Sequence, residues 1–289
     1  MPERLGESAG SGGLRAARAL IGWMSSEEGQ LLLSGRQATG RLDEGLRRRL
    51  EAARQAVSER PEGIDQSGAV QPVPASLGAY LEVFWETDYA RSFKEEGWQV
   101  KLVDLRGLCA FQPSVFLDHA ETRTAEAEAG DPEALARITL PLESDSVPSI
   151  QFDHQQKAWL VSSDNPNLDV IGHFSRPLKG GGGCGFLVAL QPSFMQVISV
   201  RDRYLLKDGY HRALGLLARG IHLVPALFLE TSADRDFDLG TGLLPRQAWL
   251  GPRPPRLTDY LLDTVAAEIA LPTARRMVVI QALTLNPIG

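Results

Sequence analysis

Lys207-Asp208-Gly209-Tyr210-His211-Arg212 is the stretch of this chain where residue types and spacing converge on one chemistry. Gly209 supplies a sharp backbone turn and a close approach, and a helical pattern begins directly after it. The first N–H groups of a helix have no partner within it and lie at the positive end of its dipole. Lys207, His211 and Arg212 flank those groups, so the stretch reads as an anion site of the phosphate kind. In that reading Lys207 and Arg212 neutralise phosphate charge, Gly209 admits the ligand to the backbone, and Asp208 caps the first turn. Tyr210 completes the turn. His211 orients a phosphate oxygen or works as acid and base, and is the catalytic candidate.

The elements that must hold this turn are legible on both sides of it. Met195–Val200 reads as a strand, Arg201-Asp202 as a tight turn and Tyr204–Leu206 as a second strand. His211–Arg219 is helical in pattern, Gly220 is a left-handed helix stop, and His222–Leu229 returns as a strand. Upstream, Val100, Leu102 and Val103 precede Leu105 and Leu108, as in a strand that turns into a short helix or loop. Ile138–Leu142, Ala158–Ser162 and Asp169–Phe174 read as short strands. A helix is expected from an N-cap at Thr258, with Leu261, Leu262, Val265 and Ile269 on one face. Arg276–Leu283 reads as the last strand.

Residues 1–75 differ in character, with Gly10-Ser11-Gly12-Gly13, few aromatics and two helix-like patches, Leu14–Met24 and Leu42–Val57. Leu42, Leu46, Leu50 and Ala53 form a narrow apolar seam with Arg47, Arg48 and Arg49 between them. That helix would dock on its own domain or on a partner, including a second copy of the chain. Gly63 to Pro74 reads as a linker. The expected organisation is a helical or flexible region over 1–75, a domain over 76–230 and a C-terminal helix–strand extension over 231–289 packed on the core. The fold class is α+β.

The segment 195–230 resembles the ParB/sulfiredoxin-like superfamily, on Asp208-Gly209-Tyr210-His211-Arg212, Gly220 and Val224-Pro225. Val100–Ser114, with Gln112-Pro113, is similar to that family's opening strand and the element after it. The resemblance implies a mixed sheet with packed helices and a nucleotide phosphate, of ATP or CTP with Mg2+, at the helix start. It covers partition proteins that hydrolyse CTP, sulfinic-acid reductases that use ATP, and kinases of free serine. This chain departs from each. Tyr210 stands where sulfiredoxins carry their nucleophilic cysteine, and the glutamate of the partition-protein motif is missing. No helix-turn-helix pattern follows Glu230. Gln112 stands near the place of the serine kinases' catalytic glutamate and cannot accept a proton as a base. The resemblance therefore implies a nucleotide- or phosphate-binding switch or interaction module. The alternatives are a phosphotransferase or nucleotide hydrolase using Glu86, Asp104 or Asp118, and a structural protein that has lost its ligand.

Charge and composition narrow the classes further. The formal net charge is −6, and between Asp118 and Asp145 eight acids face only Arg123 and Arg137. This acidic stretch, read as an exposed insertion, accounts for the whole excess. Lys179 to His222 is locally basic and contains the anion turn. With no overall positive field, duplex DNA is not an expected partner. The two cysteines, Cys109 and Cys184, make no disulfide framework or paired metal spacing, so a reducing cytoplasm is expected. No apolar run is long enough to span a membrane. His119, His154 and His173 lack the short spacing of a metal site, so no metal ligand is assigned. Gly180–Gly183 is not followed by the Lys-Ser/Thr pair of a P-loop, and reads as a loop or as a lid over the anion turn with Lys179 at its base.

Overall fold

β-branched and aromatic runs alternate here with short stretches of helical periodicity, which favours many short elements of both kinds. A computed structural model describes residues 13–34, 44–144, 147–165, 167–231 and 243–283, in which the chain is α+β. The strands begin with β1 (Leu14–Ala19), β2 (Val70–Gln71), β3 (Gln99–Asp104), β4 (Ser114–Phe116), β5 (Ser149–Asp153), β6 (Ala158–Ser163) and β7 (Leu168–Leu178). They continue with β8 (Gly181–Leu190), β9 (Gln196–Val200), β10 (Arg203–Asp208), β11 (Leu223–Glu230), β12 (Ala267–Pro272) and β13 (Arg276–Gln281). The helices are α1 (Ser26–Leu33), α2 (Glu44–Ser58), α3 (Gly78–Glu86), α4 (Asp88–Glu95), α5 (Leu117–Arg123), α6 (Pro132–Thr139), α7 (Tyr210–Ala218) and α8 (Arg246–Leu250). Among the described residues no helix is long and apolar enough to cross a membrane.

The chain divides into two compact units. The larger comprises Gly13–Leu142 and Phe194–Pro272, and the smaller comprises Glu143–Ser193 with the described residues from Thr273 onward. The boundaries expected at residues 75 and 230 both fall inside the larger unit. The physical reason is β1, the middle strand of a sheet ordered β12-β1-β4. One ladder thus joins the first described strand to residues more than 90 and 240 positions away.

A second sheet of the larger unit is ordered β10-β9-β11-β3-β2. β11 runs parallel to β9 and antiparallel to β3, and Val224–Leu229 is buried throughout. Such a continuous apolar run belongs to a strand covered on both faces. Arg201 and Asp202 join β9 to β10 with positive φ at both residues (49° and 62°), the left-handed pair used by two-residue hairpin turns. α7 is stopped after Ala218 by Gly220 (φ +75°), where Gly220 N donates to Leu217 O and Ile221 N to Leu216 O. α5 packs against α7 so closely that a Cβ on Gly215 would lie 2.3 Å from Ala120 O.

Several elements differ from expectation. Leu14–Met24 is not helical: it is β1 followed by a 3-10 turn, Ile21–Trp23, because strand partners on both sides outweigh the local preference. Ile138–Leu142 is the end of α6 and the chain after it; Asp131 accepts from Glu133 N and Ala134 N, and Pro132 opens the helix. The helix expected at Thr258 is a 3-10 turn, Leu257–Leu261, which ends before β12 pairs over six residues with β1. The stretch 63–74 is tied down rather than free: Gln66 Nε2 donates to Gly107 O at 2.6 Å, Ala69 is buried, and β2 pairs with β3. α2 keeps the expected seam, with Leu50 over Gly29 and Ala53 beside Gly22, both on its own unit; Leu42, Asp145 and residues 1–12 lie outside the described residues. The acidic stretch is not a mere solvated insertion, because Ala120, Leu135, Ala136 and Leu140 are buried in the core.

The smaller unit holds a sheet ordered β13-β6-β5 and the hairpin β7-β8. The glycine run expected to be a loop is strand β8, and only Lys179 and Gly180 turn the hairpin. Its glycines make room for large neighbours: a Cβ on Gly185 would lie 2.4 Å from the Phe174 ring, and one on Gly183 2.9 Å from Leu178. Val161, Leu168 and Leu190 form its buried cluster, with Val188 and Val278 partly buried against it.

Candidate functional site

β10 delivers Lys207 and Asp208 to the start of α7, with an irregular register between Leu206 and Asp208. Gly209 then takes φ +99°, and a Cβ there would lie 3.1 Å from Met195 Cα, so both conformation and space call for glycine. Gly209 is itself the N-cap of α7, and no side chain caps the helix. Asp208 Oδ1 instead accepts from Gly209 N at 2.6 Å, so the expected capping of the first turn by Asp208 is replaced by a bond one residue earlier. The first intrahelical bond runs from Ala213 N to Gly209 O at 2.9 Å.

The other residues of the turn are placed differently from one another. Tyr210 is buried, and its hydroxyl oxygen accepts from Phe111 N (3.0 Å) and Gln112 N (3.4 Å). Burial drives its phenol well above the usual tyrosine range. Tyr210 thus ties the start of α7 to residues 111–112. Arg212 is buried on the inner face of α7. Lys207 is half-buried, with Nζ 5.3 Å from the centre of the Trp98 ring.

His211 stands apart. Its ring stacks on Phe116, with centroids 6.1 Å apart and planes 7° from parallel, and lies 5.3 Å from the ring of His119. Its Nε2 is buried and meets no hydrogen-bond partner. Burial, with Arg123, His119 and Arg212 nearby, pushes its pKa down to about 3, opposed by Asp118. His211 is therefore neutral at ordinary pH. His119 Nε2 lies 2.8 Å from Arg15 Nη1, and Arg15 Nε is 2.9 Å from Asp118 Oδ2. Arginine can only donate, so His119 Nε2 accepts and its proton sits on Nδ1.

Of the three acids considered as partners, Asp118 is the one brought to this cluster. Asp104 is bound by the guanidinium and N–H of Arg106, which hold its carboxyl below the usual range. Glu86 lies at the end of α3. Gln112 donates from Nε2 to Ser114 O at 2.7 Å, and its backbone carbonyl accepts from the Tyr260 hydroxyl. Cys109 is buried, its thiol pushed up to about 12 by desolvation, and Cys184 is exposed in β8. Among the described residues, no group of three or more His, Cys, Asp or Glu is placed to hold a metal ion.

Arg15, Phe116 and His119 are the members of the cluster that the sequence did not single out for this site. They come from β1, β4 and α5, and local spacing gives no signal that they meet. The chain matches no protein-family model, no curated protein and no solved structure.

Proposed function

We propose that this chain binds a nucleotide or another phosphate-bearing small molecule at the start of α7, as a ParB/sulfiredoxin-like switch or interaction module. The observation that carries this reading is the buried, unpartnered Nε2 of His211, in the first turn of a helix that no side chain caps. A buried polar atom without a partner is costly, and a ligand oxygen beside it removes that cost. Arg15 and Arg123 lie near, and Lys207 and Asp208 lead into the turn. In this reading Gly209 permits the tight turn that aims the start of α7 at the ligand, Arg212 adds positive charge from below, and Tyr210 holds the turn in shape. His211, neutral, orients a phosphate oxygen. Mg2+ would arrive on the nucleotide's own phosphates.

A second reading, a phosphotransferase or nucleotide hydrolase, is favoured by Asp118, whose carboxylate lies in the cluster of Arg15, His119 and His211. Calorimetry with ATP, CTP and inorganic phosphate, each with and without magnesium, tests the first. Millimolar or tighter binding that His211→Gln weakens is expected. No heat with any of the three overturns it and leaves a ligand-free structural protein. Phosphate release that Asp118→Asn abolishes, with binding kept, establishes the second.

A further inference from the structure

β8 reads Gly181-Gly182-Gly183-Cys184-Gly185-Phe186-Leu187-Val188-Ala189-Leu190 and pairs with β7 alone among the described residues. Its other edge therefore presents a row of backbone donors and acceptors to no strand among the described residues. Proteins normally blunt such an edge with charge, proline or a short length. β7 has Arg176 and Pro177, but β8 runs for ten residues with neither a charge nor a proline. Phe174, Leu178, Phe186 and Leu187 each expose more than half of their surface on the same hairpin. A two-stranded ribbon does not hold such faces from water by itself.

The composition of β8 states what would fit it. Its first half is glycine and cysteine, and its second half is bulky and apolar. An antiparallel neighbour must have the reverse distribution, and β8 of a second copy does. A two-fold axis perpendicular to the sheet reverses the strand and keeps each side chain on its face, so residues of like parity pair. Centred on Gly185, this sets Gly183 opposite Leu187 and Gly182 opposite Val188 of the second copy. A Cβ on Gly181 or Gly182 meets nothing within 4 Å, so Gly182 has room for Val188 and Gly181 for Ala189, while over Gly183 the Leu178 side chain of the same hairpin meets Leu187 of the second copy. The hairpin already uses this arrangement once, where Phe174 of β7 covers Gly185. With no charge on β8, the two edges meet without repulsion. The nine residues paired in this register, Gly181 to Ala189, supply about eight to ten backbone hydrogen bonds, within the range of a standard interface.

We propose that β8 is a dimerisation edge on which a second copy of this chain adds its own β8 antiparallel, making one four-stranded sheet. Sedimentation equilibrium of the full chain tests it. A micromolar dimer is expected. Gly182→Lys places a charge on the edge in open space, and should weaken association about tenfold or more, with an unchanged melting temperature at concentrations where both proteins are monomeric. Ser175→Lys, on the far strand β7, should leave the dimer intact. A monomer throughout, an open series of larger species, or a dimer indifferent to Gly182→Lys overturns the proposal.

Discussion

Two glycine-bearing segments of this chain look alike in sequence and do opposite work. Gly209 opens α7 inside the larger unit, where a left-handed turn and the nearby Met195 backbone leave no room for another residue. Gly181–Gly183 and Gly185 lie in an exposed strand of the smaller unit, where two of them are floors beneath Phe174 and Leu178 and two meet open space. Dense burial around the first makes the local geometry unforgiving. The second sits on a unit whose buried apolar cluster is three residues, so its surfaces remain open to other contacts. The same residue type thus marks a fixed turn in one region and a bare edge in the other.

Ion pairs give the sharpest way to break this comparison. Arg60 Nη1 meets Asp259 Oδ2 at 2.8 Å in the larger unit, and the Asp259 side chain is 2% exposed. Removing Arg60 leaves a buried carboxylate with fewer partners, so Arg60→Ala should cost about 3 kcal/mol in urea denaturation. Arg275 and Asp164 pair at 3.2 Å in the smaller unit with half or more of each side chain exposed, and Arg275→Ala should cost less than about 0.5 kcal/mol. Equal costs would erase the contrast.

The glycines come next. Gly209→Ala should lose about 2 kcal/mol from a strained positive φ and a tight contact with Met195. Gly182→Ala should change stability by less than about 0.5 kcal/mol under the same denaturation assay.

A further effect builds up with pH. The folded pKa of His211 is lowered to about 3 from an ordinary value of 6.5. Below the ordinary value the unfolded chain binds a proton that the folded chain refuses. The contribution of His211 is therefore fully present above that value and is lost as pH falls toward the folded one. Between roughly pH 6 and pH 4 the wild type should lose up to about 1 kcal/mol per pH unit more than His211→Gln. Parallel stability profiles for the two proteins would show that His211 titrates normally. A phosphate ligand facing His211 would raise its pKa, so binding should take up a proton and tighten as pH falls.

Much of the turn was legible because its signals are local. Arg201-Asp202, Gly209 and Gly220 announce left-handed or sharply turned backbone within two or three residues, and the strands and helix between them follow from periodicity. Leu14–Ala19 was misleading for the converse reason. Its alanines and arginines suit a helix, and it becomes a strand because β12 and β4 lie on either side of it. The helix expected after Thr258 fails the same way, since Ile269 joins β12 instead of continuing a helical face. In the candidate site, His211 was legible from its place beside the glycine turn. Its neighbours Arg15, Phe116 and His119 were not, because sequence separation of about 90 to 200 residues carries no periodicity to read.

By itself, the sequence determined the short-range geometry: the hairpin turn, the left-handed glycine, the helix and its stop, and the apolar strand that follows. Backbone sterics and side-chain alternation act within a few residues, so they need no distant partner. Tertiary structure alone decided which polar groups are hidden. It buried Arg212 and Tyr210, set Lys207 against Trp98, and left His211 Nε2 without a partner beside His119. Those outcomes depend on desolvation and on strands drawn from both ends of the chain, which come together only when the core closes.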